Sequence, residues 1–100
     1  MIKHIVMWTL KDRAADASAE DNALKLKQIL GTLRETISEI REIEVGINFS
    51  PSEAACDVVL YSVFANREAL EAYQKHPHHQ SVVDFVKEIS SERHVVDYEV

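Results

Sequence analysis

Cysteine is almost missing from this sequence. Cys56 stands alone, so no disulfide can form within the chain. A reducing compartment, the cytoplasm, is the expected setting. Glycine and proline are equally scarce, two of each. Long flexible linkers and low-complexity tracts are therefore excluded, and most of the chain is expected in regular structure. Cations are in the minority: 11 Lys and Arg against 17 Asp and Glu leave a formal charge of −6. That balance argues against nucleic acid and anionic membrane surfaces as partners, because phosphate contact needs clustered Lys and Arg. No apolar run approaches the roughly 20 residues of a membrane span. The opening MIKHIVMWTLKD holds a short apolar core broken by His4 and offers no small-residue cleavage site, so no signal peptide is expected. Glycine-rich phosphate loops, nucleophile elbows and dinucleotide fingerprints are absent too.

What is present is enough apolar material for one core. The 100 residues are 46% hydrophobic and read as a single domain over 1–100. A domain of this size buries only about 60–65% of its unfolded surface, so association with a second copy would add useful burial.

Periodicity divides the chain into six segments. Residues 2–10 read as a strand with Ile2, His4, Val6, Trp8 and Leu10 on one parity and Ile5 and Met7 on the other. Apolar side chains on both parities imply cover on both faces. Residues 11–17 are polar or small and read as a loop. Residues 18–38 read as an amphipathic helix: Ser18 is the N-cap, Asp21 follows three positions on, and Leu26, Ile29, Leu30, Leu33 and Ile37 make one stripe. Its end is open, since Glu39-Ile40-Arg41-Glu42 carries no glycine or proline. Residues 43–49 alternate as a strand, with Ile43, Val45, Ile47 and Phe49 on one face. Residues 57–64 form a nearly all-apolar strand, expected to be central and covered on both sides. Asn66 caps a short helix that Pro77 stops near His76, and Pro77 opens another carrying Val82, Phe85, Val86 and Ile89. Residues 93–99 alternate as a last strand, with His94, Val96 and Tyr98 opposite in parity to Val95 and Asp97.

The order is β-α-β-β-α-β with the second helix broken in two, a ferredoxin-like α+β arrangement of one four-stranded antiparallel sheet. Helices cover one face only. The other face would be an apolar patch too large for a typical monomer, and a second copy packed sheet to sheet is the simplest cover.

Several stretches resemble one family. Met1-Ile2-Lys3-His4-Ile5-Val6, Glu44-Val45-Gly46-Ile47-Asn48, Tyr73-Gln74-Lys75-His76-Pro77-His78-His79 and Val95-Val96-Asp97-Tyr98-Glu99 are similar, in order and spacing, to the stress-responsive A/B barrel (Dabb) domain. The resemblance implies a homodimeric α+β barrel, and it implies little about activity. One plant member, olivetolic acid cyclase, closes a linear polyketide by an aldol reaction. Its catalytic tyrosine and histidine correspond to Tyr73 and His79, and a further pocket histidine to His4. The chain departs from the family where Ser38-Glu39-Ile40 replaces a common Pro-Gly turn, and Val58 stands where the cyclase has a histidine.

The histidines are the groups that could carry chemistry. His76, His78 and His79 open a helix, whose positive end disfavours protonation and keeps such a side chain able to accept a proton. Tyr73 lies one turn before His76, so a tyrosine–histidine pair could polarise a carbonyl while removing a nearby proton. The structural alternative is turn and cap formation, which for His76 is the expectation. Adjacent histidines point apart and no cysteine or carboxylate stands at ligand spacing, so no metal is expected, nor any organic cofactor. His4 reads from its strand as a hydrogen-bonded core residue, while the resemblance implies that it lines a pocket with Val6; Trp8 and Phe85 read as core residues open to the same pocket-lining role. Cys56 reads as structural, and Asp97 as an exposed or paired sheet residue.

Two functional readings follow. One is a dimer that binds a small hydrophobic carbonyl compound and performs weak acid–base chemistry of cyclase or isomerase type through Tyr73 and His79. The other is a non-enzymatic, stress-associated dimer whose histidines only shape turns. RNA binding, which shares this strand order, needs exposed aromatics and a basic surface that the chain lacks.

Overall fold

The computed structural model describes residues Met1–Val100. Strand β1 (Ile2–Leu10) is followed by two short strands, β2 (Arg13–Ala14) and β3 (Ala17–Ser18). Helix α1 (Ala19–Thr36), strands β4 (Glu42–Ile47) and β5 (Val58–Phe64), helices α2 (Arg67–Lys75) and α3 (Pro77–Ile89), and strand β6 (Ser90–Glu99) complete the chain. The main sheet is antiparallel in the order β4-β5-β1-β6. This is the ferredoxin-like α+β fold expected from the segment order.

Strand parity sorts β1 cleanly into two faces. Ile2, His4, Val6, Trp8 and Leu10 are buried beneath the helices. Pairing carries that face across the sheet: Val6 stands opposite Leu60 on one side and Val95 on the other, and His4 opposite Ser62 and Asp97. α1 lays Leu26, Leu30 and Leu33 into the same core, and α3 adds Val82, Val86 and Ile89. Each helix starts where its cap allows. Ser18 Oγ accepts from the Asp21 amide, Asn66 Oδ1 from the Ala69 amide, and His76 Nδ1 from the His78 amide. His76 therefore has the local structural role expected of it, with Pro77 as the first residue of α3.

Three expectations are corrected. The stretch 11–17 is a two-stranded hairpin and not a loop. Ala15 (φ 51) and Asp16 (φ 58) form its left-handed turn, and Asn22, buried in the first turns of α1, donates to the Ala14 carbonyl at 2.9 Å. α1 ends at Thr36, with Ile37 as C-cap folded into the core. β4 stops at Ile47, and Phe49 is 99% exposed, outside the sheet rather than on its inner face. β5 is central as expected, yet within one chain only its helix side is covered.

The far face is open. Ile5 stands between Tyr61 and Val96, and Met7 between Val59 and His94. Met7 and Val96 are exposed, and Ile5, Val59 and Tyr61 are half-buried. The helix layer also stops short of the other edge: every residue of β6 after Ser90 is exposed. No helix is long and apolar enough to cross a membrane.

Candidate functional site

The uncovered edge creates a cleft. Where β6 runs out beyond α3, the helix-side face of the sheet is left open, and a cavity of about 410 Å³ lies between sheet and helices. That volume is within the usual range for small-molecule sites, about 300–1,000 Å³. Val6, Trp8 and Leu60 come to it from the sheet, Val82, Val83 and Val86 from α3. His4, Tyr73 and His79 are its inner polar groups, and Lys87, Glu92 and Arg93 stand at its exposed rim.

Sequence separation hides how these inner groups meet. Tyr73 sits near the end of α2 with its ring buried at 1% exposure. The break at His76-Pro77 turns the chain into α3, and His79 on the first turn of α3 comes back over Tyr73. Their ring centres are 4.4 Å apart at an interplanar angle of 53°. His4 rises from β1 on the other side of Tyr73, with ring centres 6.2 Å apart, and Phe64 backs both rings.

Two of these groups have a defined protonation state, and the third a defined partner. His79 Nδ1 lies 3.1 Å from the Gln74 carbonyl oxygen, which can only accept. The ring therefore donates from Nδ1 and keeps a lone pair on Nε2. Burial pushes its pKa below the ordinary 6.5. The Gln74 carbonyl opposes this, while the charges of His4, Arg93 and His76 add to it. At neutral pH His79 is an uncharged base. Burial pushes the Tyr73 phenol up to about 12, with the Arg93 charge pulling weakly the other way, so its hydroxyl stays a donor. That hydroxyl has no partner within the chain. It is not sealed off either, since Trp8 Nε1 is the sole enclosed polar side-chain atom without a partner. His4 Nδ1 bonds directly to Asp97 Oδ1 across the β1–β6 pair. Asp97 accepts this hydrogen bond from His4 Nδ1–H and fixes the orientation of the ring, as the carboxylate of a histidine–carboxylate dyad does.

Tyr73, His79, His4, Val6 and Trp8 are thus brought to one cavity. Phe85 is not. It lies half-buried against the core, and Lys25 Nζ sits 4.9 Å from its ring centre. Its position on α3 turns it toward α1 and away from β6. Two features escaped the sequence reading. Asp97 is the partner of His4, a pairing that follows once β1 and β6 are set in register. Lys87 and Arg93 lie in stretches with no motif around them, and only the bare edge at β6 makes them neighbours of the cavity. Cys56 lines a different, shallow groove on the open face, beside Met7 and Phe49.

The family model of the stress responsive A/B barrel domain matches residues 2–100. A dimeric protein of unknown function and ferredoxin-like fold from Bacteroides fragilis is 34% identical, with a TM-score of 0.88, over 99% of this chain and 95% of that one. A dimeric ferredoxin-like protein of unknown function from Jannaschia sp. is 26% identical, with a TM-score of 0.78, over 99% of this chain and 98% of that one. The hydroxynitrile lyase of Passiflora edulis shares the fold at 17% identity, with a TM-score of 0.80, over 99% of this chain and 92% of that one. No curated protein matches the chain.

Proposed function

The chain belongs to the stress-responsive A/B barrel domain family, and from that premise we propose that it is a homodimer, closed through its open sheet face, that binds a hydrophobic carbonyl compound between sheet and helices. Weak acid–base chemistry at that compound is the activity the site fits. Tyr73 would donate its hydroxyl to the carbonyl oxygen. His79 Nε2 would take a proton from the adjacent carbon, and an enol or enolate so formed is the shared intermediate of isomerisations and aldol closures. Both groups already hold the required protonation states at neutral pH, so no cofactor is needed for this step.

The observation that carries the reading is the Tyr73–His79 pair lining an apolar cavity, an imidazole kept neutral by burial with its ring centre 4.4 Å from that of a tyrosine whose hydroxyl has no internal partner. The dimer rests on the apolar open face around Ile5 and on similarity to relatives described as dimeric. The single thiol of Cys56 suits the reducing cytoplasm. The deficit of cations argues against nucleic acid as a partner.

A thermal-shift screen of small aromatic and polyketide-like carbonyl compounds tests the site, with wild type run beside Tyr73→Phe and His79→Ala. The reading predicts stabilisation of wild type that shrinks in both variants. Stabilisation that both variants retain in full would remove Tyr73 and His79 from the site. No shift with any compound would favour the non-enzymatic dimer.

A further inference from the structure

The rim of the cleft has a charge the interior does not. Lys87, in the last turn of α3, and Arg93, on the helix-facing side of β6 opposite Trp8, both line the cavity and both are exposed. Neither takes part in an ion pair. The pairs of the chain are His4–Asp97, Arg67–Glu99, Lys75–Glu71 and His94–Glu92. Between them stand the small hydroxyls Ser90 and Ser91, whose Oγ atoms are turned to the carbonyls of Val86 and Thr9. The one acid at this rim is Glu92, and its carboxylate is 3.3 Å from His94 Nε2. In a chain of charge −6, the entrance to this cavity is therefore cationic.

We propose that the ligand of this cleft is an amphipathic carboxylate, with its carboxyl group held at the rim by Lys87 and Arg93 and its apolar, carbonyl-bearing body directed inward past Val6, Trp8 and Val86 to Tyr73. This rests on the small-molecule reading above and names the substrate class. Two cations against one carboxylate leave a single positive charge, which a monoanion neutralises better than a phosphate dianion. Arginine supplies the planar fork that matches a carboxylate in two hydrogen bonds, and lysine adds a point charge. The field of Arg93 reaches the inner groups, since its charge acts on both Tyr73 and His79. An anion at the rim would also screen that charge from His79 and let the base work with less opposition. Without the carboxyl group, a hydrophobic ligand has nothing to fix which end enters first.

Isothermal titration calorimetry on the full chain tests this with matched pairs: 4-phenylbutyrate, octanoate and 2-naphthoate, each beside its primary amide. Wild type is expected to bind at least one acid about tenfold more tightly than its amide at low salt. The gap should narrow as ionic strength rises toward about 0.5 M, because the rim is solvent-exposed. In the double variant Lys87→Gln/Arg93→Gln the acid should fall to the affinity of the amide, while the amide itself binds as before and so certifies the fold. Arg93→Lys should keep part of the preference. Acid and amide binding equally in every pair would overturn the carboxylate assignment and leave the small-molecule reading standing. A preference that survives in the double variant would overturn it too. No binding of any acid or amide would overturn the small-molecule reading and this assignment with it.

Discussion

Replacing Tyr73 by phenylalanine removes a hydroxyl that holds no partner within the chain. Stability should therefore change by less than about 0.5 kcal/mol, while affinity for a carbonyl ligand drops about tenfold, the worth of one hydrogen bond. Chemical denaturation and calorimetry separate the two. Asp97→Asn is the complementary case. The carboxylate that orients His4 is lost while the shape is kept, so Asp97 acts as a positioning residue. Ligand affinity should again fall about tenfold, and nitrogen-15 spectra of histidine-labelled protein should show His4 losing its single tautomer. A merely structural role for Asp97 would leave the tautomer unchanged. His79 sets the acid side of the stability profile. Its folded pKa lies below the ordinary 6.5, so on acidification the unfolded chain takes up the proton first and stability declines from that pH downward until folded His79 is itself protonated. His79→Gln should flatten that limb in thermal melts taken at decreasing pH.

The helix and strand segments were legible because their signals are local. Ser18, Asn66 and Pro77 announce their helices, and strand parity separated the faces of β1 before any pairing was known. What was hidden depends on neighbours distant in sequence. Nothing between residues 11 and 17 signals a hairpin, because its turn uses Ala15 in a left-handed conformation that glycine or asparagine would normally announce. The brace is Asn22, whose amide reaches the Ala14 carbonyl from α1. Asn22→Ala should cost about 0.5–1.5 kcal/mol by removing this part-buried hydrogen bond, measurable by urea denaturation. Phe49 continued the alternation of β4 by parity, but the ladder with β5 ends at the Ile47–Val58 pair, and only the Asn48 amide, donating to the Asp57 carbonyl, carries the pairing past it. The site was half legible for the same reason. Tyr73 and His79 are close in sequence and meet across one helix break, whereas Asp97 reaches His4 only through the β1–β6 register, and Phe85 faces α1 by a rotation of α3 that periodicity alone does not fix.

At the scale of the molecule, the sheet has one covered face and one bare one. Ile5, Met7, Val59, Tyr61 and Val96 form the bare face, and contiguous apolar surface of this kind marks an interface. The chain should run at twice its mass in size-exclusion chromatography with light scattering. Ile5→Glu, which sets a charge between Tyr61 and Val96, should shift it toward monomer. The cleft lies on the opposite face of the sheet, so a folded monomeric variant should still bind ligand.

The proposed chemistry requires a neutral His79 that presents Nε2 to the cleft beside Tyr73. Long-range proton–nitrogen spectra of histidine-labelled protein, followed through a pH titration, read both properties at once. The prediction is an Nδ1–H tautomer with Nε2 unprotonated at neutral pH, and a midpoint below 6.5. An Nε2–H tautomer, or a midpoint at or above the ordinary value, would contradict it and return His79 to the role of a helix-start residue.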